Sequence, residues 1–148
     1  GALVQDLART SRLPVSELRA GVRLGPGVFV APGGQHVEFE GRGGVRLRPE
    51  DEEPYCPSID VAMESAAQVF GAGATGVLLT GMGNDGVRGL GAIRRAGGRT
   101  LVQEPGTCVV PGMPAAALAL GIVQEVAAPG ALGSLLAGVR TEELTHAR

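Results

Sequence analysis

The 148-residue chain has no lysine and no tryptophan, and only one tyrosine. All 13 basic residues are arginine, and 15 acidic residues offset them to a formal net charge of −2. A charge balance without basic excess, together with few aromatic side chains, argues against a nucleic-acid-binding surface. No apolar run approaches the ~18–20 residues of a membrane span. We therefore expect neither nucleic acid nor a membrane as a partner.

Signals for export and for metal binding are also missing. Asp6, Arg9 and Arg12 interrupt the start of the chain, where a signal peptide needs an apolar stretch. Cys56 and Cys108 form no C-x-x-C or paired Cys/His spacing, so neither a disulfide framework nor a zinc site is indicated. The sequence predicts a cytoplasmic protein with two reduced, buried thiols and no cofactor.

The apolar content, 44%, is sufficient for one domain with a real core. Residues 2–10 favour a short helix, and VFVAP, residues 28–32, has the composition of a strand. Alternating side chains after it predict a β-hairpin that pairs Phe39 with Val45 and sets Glu38 opposite Arg46. The turn then falls in the glycine-rich stretch Glu40–Gly44.

Ser58 is a good N-cap for a helix over residues 59–70, with Asp60, Glu64 and Gln68 on its solvent face. Downstream, strands are predicted over residues 76–80, 99–103 and 122–126, and helices over residues 86–97, 114–121 and near 131–139. This alternation predicts an α/β fold: a doubly wound, mostly parallel sheet of Rossmann-like three-layer type with one antiparallel β-hairpin.

The stretch LLTGMGNDGVRGL, residues 78–90, places Gly81, Gly83 and Gly86 in the G-x-G-x-x-G spacing between a strand and a helix. This spacing occurs in dinucleotide-binding turns, but two observations weaken that interpretation. Only 62 residues follow Gly86, too few for a two-halved nucleotide-binding sheet. Asp85 would also compete for the positive helix end that binds pyrophosphate. Nucleotide binding is therefore the third hypothesis.

Two other interpretations of Asp85 stay open from the residues alone. In the first, Asn84 or Asp85 only caps the helix that begins near Gly86. In the second, Asp85 is functional, because parallel sheets place their sites at the carboxyl ends of strands. Backbone N–H groups near Met82 and Gly83 can approach an oxyanion there, and an acid beside such amides is typical of acyl-transfer chemistry.

Several segments, in the same order, resemble the catalytic domain of the CheB-type chemotaxis methylesterases, the protein-glutamate methylesterase and glutamine deamidase family. The segments are GVFVAPGGQHVEFE, CPSIDVAMESAA, LLTGMGNDGVRGL, AIRRAGGRTLVQEPGTCVVPGMPAAALALG and IVQEV. The resemblance runs from about residue 2 to residue 139. Its most specific part is the combination of T-G-M-G-N-D-G with G-M-P.

This resemblance implies a Ser-His-Asp esterase that hydrolyses glutamate methyl esters of methyl-accepting chemoreceptors. It implies that Asp85 is the acid of the triad and that Met82 lies in the oxyanion environment. The receptor is then the protein substrate, and the receiver domain that usually precedes this domain in the family is a further candidate partner.

The family's G-A-S-T-G-G nucleophile turn and its histidine segment do not occur in this sequence. We therefore expect residues 1–148 to form one incomplete domain, truncated at its N-terminal side and inactive alone. His36 stands where the resemblance places a histidine outside the triad. Ser58 is explained as an N-cap, and Cys56 is expected to be an inert thiol rather than half of a Cys-His pair.

The alternative to an esterase is a non-catalytic interaction module that binds a receptor or a second polypeptide. An unpaired sheet edge and an apolar surface, left by a missing strand, would favour such association. Separately, Gly89 and Gly91 are costly inside a helix, and close packing on the sheet is expected to compensate for them.

Overall fold

The computed structural model of the chain describes residues 1–137. Its helices are α1 (Ala2–Thr10), α2 (Ile59–Phe70), α3 (Val87–Arg95), α4 (Gly112–Ala119) and α5 (Pro129–Ala137). None of these helices is long and apolar enough to cross a membrane. Its strands are β1 (Val15–Glu17), β2 (Val28–Val30), β3 (Gln35–Glu40), β4 (Gly44–Pro49), β5 (Thr75–Leu78), β6 (Arg99–Gln103) and β7 (Glu125–Ala127). The predicted α/β fold, with mostly parallel strands and one antiparallel hairpin, is confirmed. The end of the last predicted helix, residues 138–139, lies outside the described residues.

Strands β5, β6 and β7 form a parallel sheet in that order, with Leu101 paired to Val77 on one side and Glu125 on the other. Helix α3 connects β5 to β6 and α4 connects β6 to β7, as the alternation predicted. Strand β7 begins three residues later than expected. Before it, the hydroxyl of Thr100 donates to the carbonyl oxygen of Ile122 at 2.7 Å, and the N–H of Gln124 donates to the carbonyl oxygen of Thr100 at 2.9 Å, so a side-chain bond supplements the backbone bond there.

The hairpin has the predicted register, in which Phe39 faces Val45 and Glu38 faces Arg46. Pairing continues for one further residue on each strand, so the turn shortens to a 3-10 turn over Gly41–Gly43. Strands β1 and β2 form a separate two-stranded parallel sheet. Strand β1 was not predicted, because three residues are too few to show a period.

The main core lies between the β5–β6–β7 sheet and helices α3 and α4, where Leu78, Leu90 and Val102 are buried. A second cluster under the hairpin contains Leu18 and Val37. Helix α2 begins and ends where the sequence predicted, and the hydroxyl of its N-cap accepts a hydrogen bond from the first turn.

Helices α2 and α3 cross closely at Gly89, which corrects the expectation that this glycine packs on the sheet. A Cβ on Gly89 would lie 2.6 Å from the Cβ of Met63 and 3.0 Å from the Cα of Asp60. The Gly89 N–H donates to Asp60 Oδ1 at 2.6 Å. The prediction of a solvent-facing Asp60 is therefore wrong: its carboxylate is partly buried between two helices. Gly91 is also buried, and Gln68 is exposed as predicted.

Burial raises the pKa of Asp60 above its ordinary value of 3.8, against the opposing effects of the Gly89 N–H and Arg88. An acid whose pKa is raised by folding stabilises the fold when protonated, and that contribution is lost as the pH rises through the folded pKa. Unfolding by urea at pH 4 and at pH 7 should therefore show wild type losing stability relative to Asp60→Asn as the pH rises. The asparagine keeps an oxygen for Gly89, and a pH-independent difference would contradict the expectation.

Candidate active site

Asp85 lies in the loop between β5 and α3, at the carboxyl edge of the parallel sheet, and is 6% exposed. Its Oδ1 accepts hydrogen bonds from the hydroxyl of Ser58 (3.2 Å) and the N–H of Asp60 (3.0 Å). Its Oδ2 accepts from the N–H of Ile59 at 2.9 Å. A carboxylate is stabilised at the N-terminus of a helix by such donors and by the helix dipole. Asp85 therefore caps helix α2.

Helix α3, by contrast, has Gly86 at its N-cap with no side-chain cap bond. The interpretation in which Asn84 or Asp85 caps this following helix is therefore wrong. The N–H of Val87 instead bonds to the backbone carbonyl of Asn84 at 3.2 Å. The acid is thus held by a helix that begins 26 residues earlier in the chain.

Ser58 links two of the polar groups at this site. As predicted, its hydroxyl oxygen accepts from the N–H of Val61 at 3.2 Å and caps α2. The same hydroxyl donates to Asp85, and the Ser58 N–H donates to Nδ1 of His36 at 3.3 Å. Ser58 is 3% exposed, so the chain buries it as a structural residue.

His36 is fully buried on strand β3 and belongs to the same network. Because its Nδ1 accepts from a backbone N–H, the hydrogen-bond pattern assigns the ring proton to Nε2, which lies 3.1 Å from Asp51 Oδ1. The chain therefore brings a serine, a histidine and an aspartate together without forming a catalytic triad. In a triad the serine hydroxyl donates to the imidazole, whereas here it donates to Asp85.

The three glycines of the G-x-G-x-x-G spacing each have a packing reason. A Cβ would lie 2.5 Å from the Met113 sulfur at Gly81, 2.6 Å from the Tyr55 hydroxyl at Gly83, and 2.5 Å from a Leu78 methyl at Gly86. The second and third glycines also have positive φ, +85° and +93°. These contacts account for the spacing without a pyrophosphate.

The two motifs that are most specific in the sequence bond to each other. The N–H of Gly81 donates to the Val110 carbonyl at 2.8 Å, and the N–H of Met113 donates to the Gly81 carbonyl at 3.0 Å. Thr80 bonds to Val110 through both its hydroxyl donor (3.1 Å) and its hydroxyl acceptor (2.9 Å). Met113 of G-M-P and Val110, two residues before that motif, therefore fix the backbone of the turn that leads to Asp85.

Met82 lies at the tip of this turn with 83% of its surface exposed. Within residues 1–137, the backbone N–H groups of Met82 and Gly83 donate to no protein acceptor. Unused backbone donors on a turn that is held in place are the kind of group with which an oxyanion site is built. The oxyanion role that the resemblance implies for Met82 stays a prediction.

A cavity of about 440 Å³ opens beside Asp85, within the range of small-ligand sites. Its lining combines the apolar side chains of Pro54, Val87 and Leu120 with polar and charged ones: Glu53, Tyr55, Asp60, Asn84, Asp85 and Arg88. Arg88 Nε donates to Glu64 at 2.5 Å, and this hydrogen bond raises the pKa of the guanidinium further above its ordinary range. Arg88 therefore brings one permanent positive charge to the cavity, and this charge is paired with Glu53 and Glu64.

Neither cysteine supplies chemistry to this site. Burial, with Glu50 nearby, raises the pKa of the Cys56 thiol, which disfavours the reactive thiolate. Both ring nitrogens of His36 are already bonded, so the Cys-His pair considered from the sequence is not formed. Among the described residues, no group of three or more His, Cys, Asp or Glu side chains could hold a metal ion.

The fold and the site define an α/β domain with a buried acid and unused backbone donors at the carboxyl edge of a parallel sheet. The family model described as CheB methylesterase matches residues 1–136. The chain belongs to the CheB methylesterase family, which confirms the resemblance recognised in the sequence.

The relatives agree with this assignment. Protein-glutamate methylesterase/protein-glutamine glutaminase 2 of Pseudomonas aeruginosa is 47% identical over 130 residues, 84% of this chain and 37% of the relative. The enzyme numbered 3 of Geobacter sulfurreducens is 45% identical over 127 residues, 82% of this chain and 34% of the relative. The chain thus spans about a third of the length of these relatives. The crystal structure of the Thermotoga maritima CheB methylesterase catalytic domain superposes with a TM-score of 0.82 at 30% identity, over 86% of this chain and 70% of that one.

Proposed function

We propose that this chain is the acid-bearing part of a protein-glutamate methylesterase that demethylates glutamate methyl esters of chemoreceptors. The names of the relatives support the reaction class. The buried carboxylate of Asp85 at the carboxyl edge of the sheet supports the position of the chemistry. In this proposal the chemoreceptor is the substrate, an upstream receiver domain is the regulatory partner, and the protein works in the cytoplasm.

One feature of Asp85 carries the proposal. A carboxylate has about four lone-pair sites, and Oδ1 accepts two hydrogen bonds while Oδ2 accepts one. Within residues 1–137, one acceptor site on Oδ2 therefore remains for an additional donor. The N–H of a catalytic imidazole is that donor in our proposal, and the fixed carboxylate holds its tautomer and stabilises the imidazolium.

The reaction that this geometry supports is ordinary acyl transfer. A serine oxygen bonds to the ester carbonyl carbon while the imidazole takes the serine proton. The carbonyl oxygen becomes an oxyanion, to which the N–H groups of Met82 and Gly83 donate. The bond to the methoxy oxygen then breaks, and methanol leaves with the proton from the imidazole. Water repeats the sequence on the acyl-enzyme, which releases the glutamate and restores the serine.

The proposal assigns the attacking serine and the imidazole to polypeptide outside these 148 residues. Ser58 is buried, and its hydroxyl is already bonded to Asp85. His36 is buried with both ring nitrogens bonded. Ser58 cannot reach a substrate ester without breaking the cap of helix α2, and His36 cannot do so without losing its bonds to the Ser58 N–H and to Asp51.

The test is an assay of methanol release from receptor that carries tritiated methyl groups. Three samples are compared: this chain alone, the part of the Thermotoga maritima domain outside the matched region alone, and the mixture. We expect turnover only in the mixture, since in this proposal the chain supplies the acid and the added segment supplies the serine and the imidazole.

Each other outcome counts against the proposal. Turnover by this chain alone would contradict the assignment of the serine and the imidazole. A mixture that forms a complex but releases no methanol would support the non-catalytic interaction module instead.

A further inference from the structure

His36 is a fully buried titratable side chain to which the proposed reaction gives no task. Its Nδ1 accepts a hydrogen bond from the N–H of Ser58 at 3.3 Å, and its Nε2 lies 3.1 Å from Asp51 Oδ1. An imidazole can make both bonds only when it carries a single proton, on Nε2. The arrangement around His36 is therefore built for the neutral ring.

Asp51 and Arg48 hold the Nε2 side of this ring. Arg48 stands opposite His36 in the hairpin register, and its guanidinium donates to Asp51 Oδ2. Asp51 Oδ1 also accepts from the N–H of Glu53 at 3.0 Å. A carboxylate fixed in this way determines the orientation and the tautomer of the imidazole. Because Nε2 donates in both charge states of the ring, a second proton changes only the Nδ1 side, where Ser58 lies.

Ser58 connects the ring to the acid of the proposed site. Its N–H donates to His36, and its hydroxyl donates to Asp85 Oδ1 at 3.2 Å. A proton on Nδ1 would point at the Ser58 N–H, so two donors would face each other across 3.3 Å. Ser58 would then have to move, and its hydroxyl supplies one of the three hydrogen bonds that Asp85 accepts.

We infer that His36 is a positioning residue for Asp85: its neutral imidazole holds Ser58, and the Ser58 hydroxyl in turn sets the direction of the Asp85 carboxylate. A second proton on the ring breaks the bond from the Ser58 N–H and releases this hold on the acid. The coupling rests on hydrogen bonds of this chain alone, whereas its consequence for ester hydrolysis rests on the proposed function.

Other charged or titratable groups near these bonds have to be separated from the effect of the ring. They are Arg48 and Asp51 on the Nε2 side, Cys56 in the loop that leads to Ser58, Asp60 in the first turn of α2, and Asp85 itself. The variant His36→Asn keeps every one of them. Asparagine carries an acceptor oxygen on Cγ, where the imidazole carries Nδ1, but it takes up no proton. Any pH dependence that persists in this variant therefore belongs to the other groups.

The experiment follows the ¹³C-labelled chain by NMR over a range of about pH 5 to 8, in which a histidine changes its charge. In wild type, we expect the carboxyl carbon of Asp85 and the ring carbons of His36 to shift with the same midpoint. In His36→Asn, that shift of the Asp85 carbon should be lost. A ring that titrates while the Asp85 signal stays constant would overturn the inference, and so would a ring that stays neutral until the chain unfolds.

Two further variants test the route of the coupling. Ser58→Ala keeps the N–H that bonds to His36 and removes the hydroxyl that bonds to Asp85, so the Asp85 signal should no longer follow the ring. His146→Asn removes the second histidine of the sequence, outside the described residues, and should leave the coupling unchanged. Circular dichroism checks the fold of each variant, and wild type with His36→Asn decides the coupling where Ser58→Ala does not fold. An Asp85 signal that still follows the ring in a folded Ser58→Ala protein would contradict the route.

The pH profile of methanol release by the mixture gives a separate answer. On the acid side, kcat should fall as two protonations in wild type, one on His36 and one on the proposed catalytic imidazole, and as one protonation in His36→Asn, with KM unchanged. Coupled NMR shifts without methanol release would support the positioning of Asp85 and count against the esterase. Methanol release with the same acid limb in both proteins would support the esterase and overturn the role of His36.

Discussion

Replacing Asp85 with alanine should lower the free energy of unfolding by about 3 to 5 kcal/mol, the largest effect that we expect of any single change. The substitution leaves three donors without their acceptor: the Ser58 hydroxyl and the N–H groups of Ile59 and Asp60. It also removes the negative charge at the positive end of helix α2. Urea unfolding followed by circular dichroism measures the loss.

Asp6→Ala is the control for this experiment. Asp6 bonds to Arg9 on the surface of α1, where both side chains are more than half exposed, so its loss should cost less than about 1 kcal/mol. A cost for Asp85→Ala as small as that of the control would show that the carboxylate does not hold the start of helix α2.

Gly86→Ala should destabilise the chain by about 2 to 4 kcal/mol. The added methyl group would lie 2.5 Å from a methyl of Leu78 and 2.8 Å from one of Ile59, both in the core beside the site. A non-glycine residue at φ +93° adds backbone strain to this overlap. Because Gly86 follows Asp85, the substitution should also displace the acid.

Gly106→Ala is the matched control for this second substitution. Gly106 has no atom within 4 Å of its would-be Cβ and no positive φ, so its replacement should stay within about 0.5 kcal/mol of wild type. Thermal unfolding of both variants gives the comparison. A Gly86→Ala protein as stable as Gly106→Ala would refute the packing explanation of the glycine spacing.

Elements with strong local signals were predicted closely. Helix α2 has a capping serine and a clear apolar face, and both of its ends agree with the structure. The hairpin register followed from alternation and from one favourable charge pair, Glu38 with Arg46. Strand β6 has its predicted bounds, because an apolar run lies between a glycine pair and a proline.

Features that depend on contacts distant in sequence were not predicted. The position of Asp60 depends on how closely α3 approaches α2, which is set by Gly89 on the other helix. The sequence showed the spacing of the three glycines, but not the side chains that pack against them. Each of them packs against a different segment, through Met113, Tyr55 and Leu78.

The candidate site also combines features with a local sequence signal and features that depend on distant contacts. Asp85 was singled out from the glycine-rich turn at the end of β5, and the family resemblance gave it the role of the triad acid, which stays a prediction. The connection from Asp85 through Ser58 to His36 was missed, because proline followed by serine was interpreted only as a helix start. A serine that caps a helix and a fully buried histidine become one network only when the hairpin packs on α2.

Asp85 therefore has a structural task that accompanies the proposed catalytic one. Its carboxylate holds the N-terminus of α2, and the helix in turn fixes the carboxylate, so the remaining acceptor site on Oδ2 has a defined direction. Separating the two tasks requires a variant that keeps the shape of the side chain. Asp85→Asn keeps the shape and, with its amide oxygen in the place of Oδ1, the hydrogen bonds from Ser58 and Asp60. It loses the bond from the Ile59 N–H, since an amide nitrogen only donates, and the charge that would stabilise an imidazolium.

The most direct measurement is the rate of methanol release by the mixture of this chain with the unmatched Thermotoga maritima segment. The rate is measured once with the wild-type chain and once with Asp85→Asn. Both are assayed below their unfolding transitions, with Asp6→Asn as the control. The account predicts a rate about 10⁴-fold lower for Asp85→Asn, with the affinity for the segment retained and the control unchanged. An Asp85→Asn rate within tenfold of wild type would contradict the assignment of this carboxylate as the acid of the esterase.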